Sequence, residues 1–289
     1  MTKILVTGAN GQLGNELRTL ENSYPNCKFI FTDYDELDIT NSDTVDSFLA
    51  KEKPQYLINC AAYTAVDKAE SEQDKAYLLN AEAPRILAIA TKKTDCKYIH
   101  ISTDYVFDGT AHTPYTEETP IKPMSVYGTS KAMGETQLMV ENKDSIIIRT
   151  SWLYSSFGNN FVKSMIKFGN ERPELGIVFD QIGSPTYARD LAESIMQIIS
   201  KIESGTKTWT NGIYHFSNEG VCSWYDFTKT IHELKGITSC NVKPIESKDY
   251  PTPVRRPHYS VLNKKKIKTT FEIAIPYWKD SLEDCLKLL

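Results

Sequence analysis

The stretch that most limits what this chain can fold into is "TGANGQLG", residues 7–14, set directly behind the apolar run "KILVTG" at 3–8. Gly8, Gly11 and Gly14 are spaced G-x-x-G-x-x-G. A strand that must turn sharply into a helix, with the helix's first amides facing a pyrophosphate, needs glycine there. Any side chain would block the turn, the approach of the phosphates or the packing of helix on strand. A plain strand-to-helix turn is the competing reading. The strand–turn–helix setting favours a dinucleotide loop made of Gly8, Asn10, Gly11, Gln12, Leu13 and Gly14.

The rest of the first half continues that rhythm. Short runs rich in branched residues, "KFIFTD" (28–33), "QYLINC" (55–60), "KYIHIS" (97–102) and "SIIIRTS" (145–151), alternate with amphipathic stretches such as "SDTVDSFLAKE" and "EQDKAYLLNAEAPRILAIATKK". Near-continuous apolar strands separated by helices predict an α/β fold: a Rossmann-type, doubly wound parallel sheet covered on both faces. After residue 150 turn-rich loops separate helical stretches near 160–170, 187–202, 223–235 and 279–288. The expected organisation is a dinucleotide-binding domain over 1–150, with the helix near 187–202 packing back on it, and a smaller α/β substrate-binding domain over 151–289.

Composition removes several functions. A formal net charge of −4 and a pI near 5.8 argue against a nucleic-acid partner. The basic run "NKKKIK" at 263–268 reads as a solvated face. Six cysteines lie far apart with no C-x-x-C pair, which suits free thiols in a reducing, cytoplasmic setting. The five histidines show no metal-ligand spacing, so no metal is expected. No apolar run is long enough to span a membrane.

The second strand leads into "FTDYDELD". A carboxylate at that point can accept from both ribose hydroxyls of an adenosine and would repel a 2′-phosphate. Asp33 is the candidate, and it favours NADH over NADPH; a turn-forming aspartate is the alternative. The fourth strand runs into "STDYVFDG", and "VYGTSKAMGE" follows. Thr103 falls at the strand's C-terminal edge, where open α/β sheets bind their ligands. Tyr127 and Lys131 are one helical turn apart. Carbonyl reduction needs a proton donor for the developing alkoxide and a hydroxyl to steady that oxygen. Tyr127 supplies the first and Thr103 the second, with the Lys131 ammonium expected to lower the phenol's pKa and to bind the nicotinamide ribose.

With these residues assembled, the chain resembles the extended short-chain dehydrogenase/reductase superfamily. "STDYVFDG", "VYG…K…GE", "RTSWLY", "GNNF", "GSPT" and "YPTPVRRP" together resemble its dTDP-4-dehydrorhamnose reductase branch, from residue 3 to about 280. The resemblance implies reduction of the C4 ketone of dTDP-4-dehydro-6-deoxy-L-mannose, the last step to dTDP-L-rhamnose, by Thr103, Tyr127 and Lys131. It also implies cofactor contacts from Ala61, Ala62, Tyr63 and Thr64 in "NCAAYT", and from Asp38 and Ile39 beside the adenine. On the sugar-nucleotide side it implies Asp104, Trp152, Asn160, Phe161, Gln181 and Arg256. Trp152 could instead be a core residue, Gln181 a turn residue, and Arg255 could replace Arg256 as the contact.

One departure stands out. Some relatives hold a magnesium ion at a dimer contact with acidic side chains, and "SPTYARDLA" has Arg189 at one such position. No magnesium requirement and a monomer or weak homodimer are therefore expected. A sugar-nucleotide 4-epimerase or 4,6-dehydratase is the enzymatic rival, although Tyr105 stands where the dehydratase motif has a glutamate. A non-catalytic NAD(P)-binding regulatory subunit, as known for methionine adenosyltransferase, is the rival of another class.

Overall fold

The computed structural model describes residues 1–289. Its strands are β1 Thr2–Thr7, β2 Cys27–Thr32, β3 Tyr56–Asn59, β4 Lys97–Thr103, β5 Ile146–Thr150, β6 Leu153–Tyr154, β7 Glu174–Val178, β8 Ile182–Gly183, β9 Thr186–Tyr187, β10 Gly212–Phe216, β11 Cys222–Ser223 and β12 Asn241–Ile245. The helices are α1 Gln12–Thr19, α2 Ser42–Glu52, α3 Val66–Ala69, α4 Gln73–Tyr77, α5 Ala83–Lys93, α6 Val126–Glu141, α7 Phe161–Glu171, α8 Ala188–Glu203, α9 Trp224–Lys235, α10 Lys265–Phe271 and α11 Trp278–Leu286.

Six strands form one parallel sheet in the order β10-β5-β4-β3-β1-β2. Every residue of β3 and β5 is buried, as strands covered on both faces require. Ile4, Val6, Ile58, Ile99 and Ile148 point to one side and meet Leu13 and Leu17 of α1, Leu191, Ile195 and Ile199 of α8, and Phe271 of α10. Leu5, Leu57, Tyr98 and Ile147 point to the other and meet Val45 and Leu49 of α2, Leu87 of α5 and Leu138 of α6. The α8 residues recur at intervals of four, which puts them on one helical face. A separate core gathers Val162, Leu175, Phe227, Val242, Trp278 and Leu282 from α7, β7, α9, β12 and α11. No helix is long and apolar enough to cross a membrane.

The five expected strands and four later helices lie within a residue or two of their places. Three features differ from expectation. The sheet has a sixth strand, β10, which pairs with β5 although it lies more than sixty residues beyond it. The sheet unit thus draws α8, β10 and α10 from the second half of the chain. The amphipathic stretch 72–93 is helical throughout its length from Gln73 but not uniform: a π turn at Leu78–Glu82 joins α4 to α5. That turn aims the Asn80 side chain at both backbone groups of Tyr63, through Nδ2 and Oδ1. Finally, the basic run is not simply a solvated face. Lys264 is buried beside Glu219, Lys268 pairs with the same carboxylate, and Ile267 sits wholly in the core.

Candidate active site

At the C-terminal edge of the sheet a cleft of about 1460 Å³ runs from the glycine turn across to β7 and β12. Its first wall is built by Gly8. The residue has φ +66°, and a Cβ there would lie 2.5 Å from the Ala61 amide nitrogen, so only glycine lets the turn lie against the end of β3. No side chain caps the N-terminus of α1. The first-turn amides are therefore free to receive a pyrophosphate, and the turn fits a dinucleotide. Asp33 follows β2 and accepts from the Asn10 and Tyr34 amides, both at 2.9 Å. It is thus a turn former as well as a residue of the cleft wall.

Of the residues expected to hold cofactor, Gly8, Asn10, Gly11, Gln12, Leu13, Asp33, Asp38, Ile39, Ala61, Ala62 and Thr64 line the cleft. Gly14 and Tyr63 do not. Gly14 faces the Ala9 backbone and serves helix packing. Tyr63 has both backbone groups tied to Asn80, and its phenol lies by Glu72.

The candidate reacting groups Thr103, Tyr127 and Lys131 line the cleft, and α6 places two of them. Ser125 caps that helix by accepting from the Gly128 amide at 3.1 Å. Gly128 lies against the Tyr105 carbonyl, so a side chain there would push α6 off the turn that follows β4. Tyr127 is thereby set against Thr103 and edge-on to the Tyr105 ring, 5.4 Å between centroids. Burial pushes the Tyr127 phenol above its ordinary value, and the Thr103 hydroxyl pulls the other way. A phenol held in its protonated form suits proton donation.

Lys131 is buried and donates to the Ile101 carbonyl at 2.7 Å. Burial lowers its pKa to about 8, opposed by the charge of Glu135. The expected lowering of the Tyr127 pKa by Lys131 is therefore not found. The amine turns down towards β4, and desolvation governs the phenol.

Asp104 is buried, with one carboxylate oxygen accepting from Thr103 at 3.0 Å and the other without a partner. Burial raises its pKa to about 6. A buried acceptor left unsatisfied in a cleft wall suits a ligand hydroxyl.

The remaining candidates also line the cleft, yet several already have structural work. Trp152 has φ +50° and stacks on Trp224 at 3.5 Å, with Phe161 packed beside the same indole. Asn160 caps α7 by accepting from the Lys163 amide, and it donates to Gln12 at 3.0 Å, which ties the glycine turn to the second lobe. Gln181 donates to Ser247 at 2.9 Å. Arg256, rather than the exposed Arg255, faces the cleft. Its guanidinium pairs with Asp67 at 2.6 Å and donates to the Tyr105 hydroxyl at 3.1 Å. Arg189 lies outside the cleft and pairs with Glu193 one turn along α8 at 3.0 Å. Sequence reasoning missed Trp224, Asp67 and His100. Only His100 carried a signal, a lone imidazole inside an apolar strand.

A parallel sheet with an uncapped glycine turn and with Thr103, Tyr127 and Lys131 in one cleft is the arrangement expected of a nicotinamide-dependent dehydrogenase/reductase. Comparison narrows the class. Residues 1–289 match the family described as RmlD substrate binding domain. A dTDP-4-dehydrorhamnose reductase of Aggregatibacter actinomycetemcomitans is 43% identical over 291 residues, covering 98% of both chains. The crystal structure of a dTDP-4-dehydrorhamnose reductase from Clostridium acetobutylicum superposes with a TM-score of 0.93 at 42% identity, over 99% of each chain. One from Bacillus anthracis, in complex with NADP, gives 0.93 at 39% identity over 100% of each chain. The chain belongs to the dTDP-4-dehydrorhamnose reductase family.

Proposed function

We propose that this protein reduces the C4 ketone of dTDP-4-dehydro-6-deoxy-L-mannose to give dTDP-L-rhamnose. The carrying observation is the convergence of Thr103, Tyr127 and Lys131 at the floor of a cleft entered past an uncapped glycine turn. A bound nicotinamide would supply the hydride. The Gly8–Gly11 turn, Asp33, Asp38, Ile39 and Ala61 would hold it. Thr103 turns its hydroxyl from Asp104 to donate to the carbonyl oxygen, Tyr127 gives that oxygen its proton, and Lys131 binds the nicotinamide ribose. Asp104 accepts from a sugar hydroxyl through its unpartnered oxygen. Trp152, braced by Trp224, packs against the sugar nucleotide, with Phe161, Asn160 and Gln181 around it. Arg256 binds the diphosphate by exchanging its contact with Asp67, since a planar fork suits either oxyanion.

Incubation with reduced cofactor and dTDP-4-dehydro-L-rhamnose, followed by identification of the product, tests the assignment. Removal of the acid by Tyr127→Phe should cost roughly 10²–10⁴-fold in kcat. Unchanged turnover in that variant would defeat it and would favour the non-catalytic regulatory reading. The dehydratase reading is disfavoured because Tyr105, in place of a glutamate, has its hydroxyl engaged by Arg256. A 4-epimerase retains oxidised cofactor between turnovers, so nicotinamide absorbance that co-purifies with the protein favours that reading.

Asp33 supports NADH, whereas the NADP in the Bacillus anthracis relative supports the phosphorylated cofactor. The ratio of kcat/KM for the two decides. All six cysteines are free, which suits a reducing compartment such as the cytoplasm. Arg189 supports a monomer or weak homodimer without magnesium.

A further inference from the structure

Behind the catalytic lysine lies a chain of buried polar groups that the reaction as described leaves unused. It begins at the end of β3. The Asn59 Oδ1 accepts from the Ala61 amide at 3.1 Å and from the Thr7 hydroxyl at 2.8 Å. A backbone N–H can only donate, so the carboxamide has one allowed orientation, with its Nδ2 on the far side. That Nδ2 faces the Tyr98 hydroxyl at 3.3 Å and His100 Nδ1 at 3.1 Å.

The consequence passes along the imidazole. Asn59 Nδ2 is a donor, so His100 Nδ1 must accept, and the ring proton must sit on Nε2. His100 is wholly buried, and burial, with the neighbouring Lys131 charge, holds it well below the ordinary imidazole range, so it stays neutral. Its Nε2 lies 3.4 Å from Lys131 Nζ. An ammonium there would set one donor against another, whereas a neutral amine could accept.

We propose that His100 is a positioning residue for the reductase reaction, fixed as its Nε2–H tautomer by Asn59, and that it holds the proton of Lys131 in a loosely bound state. The inference rests on the assignment of Lys131 to the reaction. The groups that face the amine are few. Tyr127 is one turn earlier on the same helix, and Glu135 is one turn later and already forked onto Arg149 at 2.7 and 2.9 Å. From the sheet come His100 and the Ile101 carbonyl, with Tyr98 behind the imidazole. Glu135 favours the ammonium, while His100 and burial oppose it.

Two measurements test this. Long-range ¹⁵N–¹H correlation of histidine-labelled wild-type protein reads the tautomer without any turnover. The Nε2–H form is expected, and an Nδ1–H form overturns the proposal. The second measurement is His100→Gln, whose amide oxygen can accept from an ammonium. The Lys131 ionisation, read on its side-chain ¹³C signal and assigned by loss of that signal in Lys131→Met, should move up by about tenfold in proton affinity. The alkaline limb of kcat should move with it. Coincident titrations in the wild type and His100→Gln overturn the proposal. If Tyr127→Phe keeps full turnover, the catalytic assignment fails, while the tautomer and the ¹³C titration still judge His100 separately.

Discussion

Asp104→Asn should reveal a carboxylate that costs stability in order to serve the substrate. The native group is buried, shares one oxygen with Thr103 and leaves the other unpartnered. Burial lifts its pKa to about 6 from 3.8, with the Thr103 hydroxyl pulling it back. Between those two values the folded state holds a proton that the unfolded state has already lost, so stability falls as pH rises through that window. At about 1.4 kcal/mol per pH unit the cost at neutral pH is about 3 kcal/mol. The neutral asparagine carries no such charge and can still accept from Thr103. It should therefore be more stable than wild type at pH 7.5 by an amount of this order, and the difference should vanish near pH 4. Activity should move the opposite way. Wild-type kcat/KM should fall below about pH 6 as Asp104 gains its proton. The variant should lose that limb and run roughly 10- to 100-fold slower at pH 7.5, since a hydrogen bond to a charged acceptor is worth about 1.5–3 kcal/mol. Urea unfolding at the two pH values and a rate–pH profile followed at the nicotinamide band provide the readings. A limb that persists in the variant, or a stability difference independent of pH, refutes the reasoning.

Gly8→Ala would place a methyl 2.5 Å from the Ala61 amide nitrogen at φ +66°. Overpacking of about 1–3 kcal/mol and left-handed strain of about 1–2 kcal/mol should both appear in a thermal melt, together with weakened cofactor binding. Trp224→Ala removes the indole stacked on Trp152 and should raise KM for the sugar nucleotide while leaving cofactor affinity unchanged, as isothermal titration with each ligand would show. Light scattering with and without EDTA should give the same mass, because Arg189 puts a cation on that turn of α8 and takes up the Glu193 carboxylate. A mass that falls on chelation would contradict this.

Much of the sheet could be read locally because buried parallel strands need unbroken branched residues, as "SIIIRTS" and "KYIHIS" have. The glycine turn was legible for a similar reason: backbone geometry near Ala61 admits no other residue at position 8. β10 was not legible. "GIYHF" is short and mixed, and becomes a strand only because β5 offers it a parallel edge. In the site, the placing of Thr103, Tyr127 and Lys131 in one cleft followed from spacing, but their environment did not. The Arg256–Asp67 pair joins residues 189 apart, and no local pattern announces it. The same holds for the direction of the Lys131 amine, which an imidazole on a neighbouring strand and a carbonyl decide. A spacing argument alone had turned it towards the phenol.

The late arrival of β10 also shapes the birth of the chain. While the protein is being made, β5 emerges and pairs with β4, but its outer edge has no partner until residue 216 is released. At ~5–20 residues per second that interval lasts roughly 3–13 s. Throughout it the nascent chain presents an open, isoleucine-rich strand edge of the kind that recruits other chains. In the finished fold β10 covers that edge, and the sheet ends on β10 and β2 instead.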